Sequence, residues 1–538
     1  MLDGWRKKTV ATVILAASFF LLFCNLGDRL LWLDEAETAL LAVNITEFGI
    51  PKATDGKNYV TLYGRGNDTN GNDVWTWSPW ADEYVAAASF AALGTSAFTA
   101  RFPFALFGLV SIVMFAFLAR KVFGNFELTV VGVLLFMSNV GFLLHARQCR
   151  YYALVVFAQL WFMYGFHQLI EKRGLPGIIN TFLPLAMQFY CNYVLVLPGM
   201  LVLALWGVIL VKKVPGFFKN VVVSGSLVCL SALPWLVYAK PWTLQAGGIR
   251  FDGFWKRSLT YIDEMNFYIM PIAILALPLL VAIFSRVLRK KARKEIGDGV
   301  IRGKTRRRLE SGGSSPAGGA EQYFTAFLWG LIPVNIMVLG IVSIRSFRYL
   351  VPLMPVVFLL SAVIMSKKVK YPVLRWIIVL ILCFSNILSF VAVPFGSGHR
   401  MEFPIISYVG DITSKYDNAL KDIVAFFRAN ASPDDTVFTP DPDFPLIFHT
   451  GLKIVDIRMN PGVDLKQLPE WVLSESASGL LKMDKVAPPE QVRDRYEPII
   501  LKVRDNDRND NRPDPYFHSF RTSSGFRDFI IYRRNQDG

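Results

Sequence analysis

Long apolar runs separated by short polar turns occupy most of the first two thirds of the chain. A run of about 18 or more apolar residues can cross a bilayer as a helix. The runs predict about eleven membrane-spanning helices, near residues 9–26, 98–119, 128–145, 151–170, 175–190, 193–211, 217–238, 267–285, 322–344, 348–366 and 372–393. This pattern is typical of a polytopic α-helical membrane protein.

The basic residues at the ends of the runs predict how the chain inserts. Lysine and arginine prefer the cytoplasmic side of a membrane, and Arg6, Lys7 and Lys8 precede the first run. No small-residue cleavage site follows that run, so we interpret it as a retained helix rather than a signal peptide. An odd number of spans from a cytoplasmic N-terminus predicts an external C-terminus, on the periplasmic side if the membrane is a bacterial inner membrane.

Three segments break the apolar pattern and are predicted to lie outside the membrane. Residues 27–97 form a long external loop, and residues 286–320 form a cytoplasmic loop. Residues 400–538 are polar, with an amphipathic helix predicted over 421–429 and strands over 436–439 and 451–457. We therefore predict a transmembrane domain over 1–399 and an external α/β domain over 400–538.

The composition supports the membrane assignment and argues against a nucleic-acid partner. Hydrophobic residues make up 53% of the 538 residues. The net charge of +15 would suit a nucleic-acid-binding protein, but eleven of the 57 lysines and arginines lie between Arg286 and Arg308, in one loop between apolar runs. Such a loop is attracted to anionic lipid, so no nucleic-acid partner is expected. The five cysteines have no spacing for zinc or for paired disulfides.

An acidic cluster, Asp34-Glu35-Ala36-Glu37, follows the first span on its outer side. One interpretation is structural, with Asp34 capping a helix and Glu37 completing a capping box. The other is chemical, with Asp34 as a carboxylate at the membrane surface that serves as a general base. The two interpretations are compatible, since one residue could both cap a helix and accept a proton.

A group of arginines lies at outer helix ends, against the trend of the other short loops. Charges at membrane level usually have a partner, and the planar guanidinium donates two parallel hydrogen bonds to a phosphate. Each arginine could instead reach lipid headgroups or pair with acidic residues of the long loop. As a group they favour an anionic ligand at the outer face; they are Arg101, Arg147, Arg150, Arg345 and Arg348.

An aromatic stretch, Trp75 to Trp80, lies in the long external loop. It is typical of an aromatic belt at a membrane interface. It could instead form a wall for a sugar ring or a lipid, with Trp77, Ser78 and Pro79 as the contacts.

These motifs, in this order, resemble the GT-C glycosyltransferases, and most closely glycosyltransferase family 39, the branch of the protein O-mannosyltransferases and the lipid A aminoarabinose transferase. The resemblance covers nearly the whole chain. It rests on Asp34-Glu35-Ala36 after the first span, Ser78-Pro79 before a helix ending at Leu93-Gly94, Arg101-Phe-Pro in the second span, Leu233-Pro-Trp235, and Arg348-Tyr-Leu-Val-Pro.

The chain also departs from both members of that branch. The mannosyltransferases carry a histidine before the two prolines of the loop, and Thr76-Trp77-Ser78-Pro79 has none. The aminoarabinose transferase carries an acidic residue near the start of the fourth span, where this chain has Arg150-Tyr-Tyr. Neither acceptor is therefore carried over.

The resemblance implies an inverting glycosyltransferase at the outer face. Its donor would be a sugar on undecaprenyl or dolichyl phosphate, and its acceptor a hydroxyl on an envelope lipid, glycan or protein. The acidic pair of the family falls on Asp34 and Glu35, with Asp34 as the base. The outer arginines would bind the donor phosphate, helped by Lys240 or Arg250. Arginines could serve without a metal, although Asp34, Glu35 and Glu37 could also hold a divalent ion.

Two other functions remain open from the sequence. A transporter or flippase of an anionic lipid-linked substrate would also need many spans and outer arginines, but the chain lacks the internal symmetry typical of transporters. An oligosaccharyltransferase that uses a diphosphate lipid is the second alternative, and its frequent metal requirement would distinguish it.

Overall fold

The computed structural model describes residues 4–64, 66–243, 248, 250–278, 316–343, 345–392, 398–456, 468–474 and 495–535. Seventeen helices are bounded within these ranges: α1 Gly4–Phe23, α2 Leu33–Phe48, α3 Ala81–Leu93, α4 Ala97–Phe123, α5 Phe126–Met137, α6 Val140–Ala146, α7 Tyr152–Ile170, α8 Gly174–Cys191, α9 Val196–Leu210, α10 Phe217–Ala239, α11 Phe254–Tyr268, α12 Pro316–Ile341, α13 Met354–Lys368, α14 Pro372–Phe384, α15 Pro404–Thr413, α16 Ala419–Asn430 and α17 Phe444–Thr450. A 3-10 segment, Phe347–Leu353, runs directly into α13.

Among the described residues, five helices are long and apolar enough to cross a membrane. They are α4, α7, α10, residues Gly319–Ile341 of α12, and the continuous segment Phe347–Lys368. A sixth span results if α5 and α6 are taken together, and α9 and α14 are shorter apolar helices. The chain is thus a polytopic helical membrane protein, as predicted. The predicted number of eleven spans stays a prediction. Residues 279–315, which include most of the predicted basic loop and part of the 267–285 span, lie outside the described residues.

The predicted span over 128–145 is wrong as a single helix. It is divided into α5 and α6, which meet at an angle of 65°. Asn139 is the reason: its side-chain oxygen accepts from the Phe142 N–H at 2.9 Å and so caps α6, while its amide donates to the Tyr268 carbonyl at 2.9 Å. Because this cap starts a new helix, the helix over the predicted span is interrupted at Asn139, although the run remains apolar in composition.

The predicted external loop contains two helices, α2 and α3, which pack against each other. The helix predicted after Ser78-Pro79 is α3, and it ends at Gly94 as expected. Between α2 and α3 the chain folds over its own polar side chains. The Asp68 carboxylate accepts from the Thr61 hydroxyl at 2.7 Å and from the Leu62 N–H at 2.7 Å, and the Trp75 ring is fully buried.

The C-terminal region contains a five-stranded sheet, with β1 Thr436–Phe438, β2 Lys453–Val455, β3 Trp471–Ser474, β4 Tyr496–Arg504 and β5 Phe526–Arg534. The strand order is β2-β1-β3-β5-β4. β1 pairs in parallel with both of its neighbours, β2 and β3. β5 pairs antiparallel with both of its neighbours, β3 and β4. The predicted amphipathic helix is α16, and the two predicted strands are β1 and β2. The boundary at residue 400 stays a prediction.

The C-terminal region is docked on the first external loop. Arg29 forms an ion pair with Asp411, and the Leu31 N–H donates to the His449 Nε2 at 3.0 Å. α17 also packs against α2. The C-terminal region is therefore fixed beside the segment that leads into the acidic cluster.

Candidate functional site

Asp34 lies in the first turn of α2 rather than at its cap. The helix begins at Leu33, and the N-cap residue is Trp32, whose side chain makes no capping hydrogen bond. The predicted capping box is therefore wrong. A carboxylate inside the first turn is still favoured by the helix dipole, but its oxygens are free to bind other partners.

Two arginines from distant parts of the chain converge on Asp34. Arg348, in the 3-10 segment before α13, donates from Nη1 to Asp34 Oδ2 at 2.7 Å. Arg150, in the turn before α7, places Nη2 at 3.8 Å from the same oxygen. The Asp34 side chain is 15% exposed, and no hydrogen bond from the described residues reaches Oδ1. One oxygen is thus held by arginine, and the other is available to a ligand.

Glu37 belongs to the same cluster, because residues three apart share a helix face. Arg150 Nη1 donates to Glu37 Oε1 at 2.8 Å and to the Thr38 hydroxyl at 2.7 Å. Burial raises the pKa of Glu37 to about 7, opposed by Arg150 and reinforced by Asp34. Asp34, Glu37, Arg150 and Arg348 are called the carboxylate–arginine cluster below.

Glu35 and Arg101 pair with each other and not with the side chains of this cluster. The Arg101 guanidinium donates from Nε and Nη2 to the two Glu35 carboxylate oxygens at 2.7 and 2.6 Å. Its remaining donors reach the carbonyls of Leu26, Arg29 and Leu30. Both side chains are almost completely buried, at 4% and 0% exposure. The pair joins α2 to α4, and the catalytic role predicted for Glu35 and the phosphate-binding role predicted for Arg101 stay predictions.

Two more of the predicted arginines are directed elsewhere. Arg147 donates to the carbonyls of Leu21 and Cys24 and lines a separate cavity of about 430 Å³ together with Arg29. Arg345 forms an ion pair with Glu264 and is 44% exposed. Neither makes a hydrogen bond to Asp34 in the part of the chain that the structure describes.

Lys240 and Arg250 are both exposed. Lys240 ends α10 in a left-handed conformation, and the Arg250 N–H donates to the Ile341 carbonyl at 2.8 Å. Neither forms an ion pair within the described ranges. Their predicted assistance to phosphate binding stays a prediction.

The predicted aromatic wall has one member at the site. The Trp77 ring lies 4.6 Å from the Tyr63 ring. Burial raises the pKa of Tyr63, and the charges of Asp68, Arg348, Glu37 and Asp34 also act on its hydroxyl. Tyr63 therefore lies beside the carboxylate–arginine cluster.

The other two predicted wall residues are engaged in packing. The Ser78 hydroxyl accepts from the Trp75 ring N–H at 3.0 Å, and Pro79 is buried. These contacts do not involve the carboxylate–arginine cluster, and the predicted contact of Ser78 and Pro79 with a substrate stays a prediction.

The residues predicted to hold a divalent ion do not converge. Glu35 faces Arg101, whereas Asp34 and Glu37 face Arg150 and Arg348. Within the described ranges, no group of three or more His, Cys, Asp or Glu side chains is arranged to hold a metal ion.

Two contributors to the site were not predicted: Thr38 and Tyr63. Thr38 follows the acidic cluster directly, so its position on the helix was the only available signal. Tyr63 lies in a segment without a recognisable motif, and only the fold brings it to the cluster.

A second cavity, of about 700 Å³, lies at the break between α5 and α6. Asn139, Tyr268, Asn266 and Phe358 are among its lining residues, so its wall mixes amide and aromatic groups. Tyr268 also lies 5.9 Å from Phe347, the neighbour of Arg348. Tyr268 therefore joins the wall of this cavity to the segment that carries Arg348.

Comparison with known proteins identifies the fold. The sequence matches no protein-family model and no curated protein. The structure is similar to ArnT from Cupriavidus metallidurans in the apo state, with a TM-score of 0.59, 12% identity and 97% of each chain covered. It is also similar to the same protein bound to undecaprenyl phosphate, with a TM-score of 0.51, 13% identity, and 99% of this chain and 98% of that chain covered. The chain therefore has the GT-C fold.

Proposed function

We propose that the protein is an inverting glycosyltransferase that takes a sugar from a polyprenyl phosphate and transfers it to a hydroxyl acceptor. The observation that carries the proposal is Asp34, a partly exposed carboxylate with one oxygen bound to Arg348 and the other without a partner in the described chain. A GT-C fold shared with a protein crystallised with undecaprenyl phosphate supports the class of donor.

In the proposed reaction Asp34 removes the proton from the acceptor hydroxyl. The acceptor oxygen then forms a bond to the anomeric carbon as the bond from that carbon to the phosphate oxygen breaks. The electron pair of the broken bond leaves with the polyprenyl phosphate. Attack from the face opposite the phosphate inverts the anomeric configuration. General-base assistance of this kind is worth about 10²- to 10⁴-fold in rate.

Arg348 and Arg150 are proposed to stabilise the leaving phosphate. Negative charge grows on the phosphate oxygens in the transition state, and fixed cations in a partly buried site stabilise that charge without reorganising. Both guanidinium groups are largely shielded from solvent, at 24% and 11% exposure. Asp34 and Glu37 compensate the charges of the two guanidinium groups before the donor binds. In the complex, the donor phosphate would share these guanidinium groups with the two carboxylates.

The remaining elements of the proposal concern place and partner. We propose a bacterial inner membrane, a cytoplasmic N-terminus and a periplasmic site. The acceptor is an envelope lipid, glycan or protein. The docking of the C-terminal region beside α2 supports a role for that region in the reaction, because it lies next to the segment that carries Asp34.

The test uses the full-length protein in nanodiscs. Radiolabelled undecaprenyl-phosphate and dolichyl-phosphate sugars are offered with an envelope extract, and loss of label from the lipid is followed. Consumption of one donor, with label appearing in a product, supports the proposal. If every donor is retained while vesicles containing the protein move the lipid between leaflets, the protein is a flippase and the proposal is wrong.

A further inference from the structure

A segment of the C-terminal region, Asn511–Phe517, reaches the carboxylate–arginine cluster. At its start, the Asn511 side chain donates to the Leu30 carbonyl at 3.3 Å, and its own carbonyl accepts from the Gln148 amide at 3.4 Å. Leu30 and Gln148 lie close in sequence to Asp34 and Arg150. The segment is therefore anchored beside both of them.

The other end of the segment is anchored beside Arg348. The Tyr516 ring lies 6.3 Å from the ring of Phe347 and 5.6 Å from that of Tyr268. Within the segment, the Phe517 N–H donates to the Asp514 carbonyl at 2.9 Å, which closes a turn. Asp514 is thus held at the centre of the segment, between two anchored ends.

Asp514 is half-buried, and its buried Oδ1 has no hydrogen-bond partner within the described residues. Burial raises the pKa of Asp514 to about 6, with Arg348 opposing the rise and Asp34 and Glu264 adding to it. No ion pair joins Asp514 to Arg348 in the described chain, although the charge of Arg348 acts on it.

Three other buried polar atoms of the cluster also lack a partner. They are Glu37 Oε2, Arg150 Nε and Arg348 Nε. Buried polar groups nearly always form hydrogen bonds, and a bound ligand is one source of the missing partners of these four atoms. The two N–H groups suit phosphate oxygens. The two carboxylate oxygens need a donor, which a phosphate diester lacks and which a sugar provides through its hydroxyl or amino groups.

We propose that Asp514 is a specificity-determining residue that accepts a hydrogen bond from a hydroxyl or amino group of the sugar on the donor lipid. The C-terminal segment Asn511–Phe517 then forms one wall of the sugar site. This inference rests on the proposed function. A hydrogen bond to a buried carboxylate contributes about 10- to 100-fold to affinity, and a site built around such a group rejects sugars that lack it.

The test separates recognition of the sugar from recognition of the lipid phosphate. Affinities for undecaprenyl phosphate and for a panel of undecaprenyl-phosphate sugars are measured in nanodiscs for the native protein, for Asp514→Ala and for Asp528→Ala. Asp528 is a matched control, because it is a carboxylate of the same region, 56% exposed and paired with Lys502 on the surface of the sheet. Thermal unfolding shows whether each variant is folded.

The expected result is that the native protein binds one sugar lipid more tightly than bare undecaprenyl phosphate. Asp514→Ala should weaken that binding by about 10- to 100-fold and change the affinity for bare undecaprenyl phosphate by less than about threefold, and Asp528→Ala should change neither. Equal losses for both lipids, or a retained preference for the sugar lipid, would overturn the inference. If the native protein binds none of the lipids, the proposed function fails, and the inference fails with it.

A further variant, Asp514→Asn, distinguishes the two kinds of sugar group. The amide oxygen still accepts from a hydroxyl, so a neutral sugar should bind within about fivefold of its native affinity. An ammonium group loses its counter-charge, so an amino sugar should bind as weakly as to Asp514→Ala.

Discussion

Replacement of Glu35 by glutamine tests whether this carboxylate of α2 stabilises the fold, in contrast to Asp34, the proposed general base. The change leaves the Arg101 guanidinium almost fully buried without a counter-charge, although its bonds to three carbonyls remain. Removing one partner of a buried ion pair costs about 3–5 kcal/mol. The apparent Tm should therefore fall by roughly 5–10 °C. The double variant Glu35→Gln/Arg101→Gln should lose less than the sum of the single changes, because it leaves no unpaired charge.

The assay compares thermal unfolding in detergent with transfer per folded molecule at low temperature. Glu35→Gln should retain transfer within about threefold of the native rate, because Glu35 makes its hydrogen bonds to Arg101 and to the Cys149 N–H and none to the four side chains of the carboxylate–arginine cluster. Asp34→Asn should behave oppositely: transfer is lost, whereas the apparent Tm falls by less than in Glu35→Gln, because the Arg348 side chain is 24% exposed and that of Arg101 only 4%. A Glu35→Gln protein with native Tm and no transfer would refute the reasoning and would make Glu35 the reactive group.

Three further predictions follow from single contacts. Arg348→Ala should slow transfer by about 10²- to 10³-fold, whereas Lys415→Ala, which removes a cation that is 78% exposed, should change it by less than about threefold. Donor depletion measures both. The pKa of Glu37 is raised from 4.5 to about 7, so the folded protein binds this proton more tightly than the unfolded chain. The resulting stability is fully present below pH 4.5 and is lost as the pH rises through about 7. Glu37→Gln should flatten that slope in thermal unfolding. A Cβ at Gly165 would overlap a backbone carbonyl of α8, so Gly165→Ala should destabilise by about 1–3 kcal/mol, whereas Gly225→Ala, with ordinary contacts, should not.

Periodicity and run length predicted much of the fold correctly. The helices α4, α7 and α10 and the amphipathic helix α16 follow from patterns within a single segment. The break between α5 and α6 was missed because Ser138 and Asn139 are only two polar residues in an apolar run. Their effect depends on Asn139 capping a new helix and binding a carbonyl of a distant loop, and a hydrophobicity pattern does not contain that contact.

The candidate site was predicted in part, and the limit has a physical cause. The position of Asp34 after the first span made it a candidate, but every outer arginine looks the same in the sequence. The arginines differ in their hydrogen-bond partners. Arg101 donates to Glu35 and to backbone carbonyls, whereas Arg348 donates to Asp34, which lies more than 300 residues away in the sequence. Asp514 lies still further along the chain, in a segment whose own sequence has no chemical signature. Only the tertiary contacts of Asn511 and Tyr516 bring it to the cluster.

The most direct test of the proposed chemistry is a single-turnover measurement on native protein and Asp34→Asn in nanodiscs, loaded with the donor that the lipid panel identifies. Undecaprenyl-phosphate binding is measured on the same preparations. The account predicts that both proteins bind the lipid and that Asp34→Asn transfers the sugar at least about 100-fold more slowly. Equal transfer rates at equal lipid occupancy would contradict it.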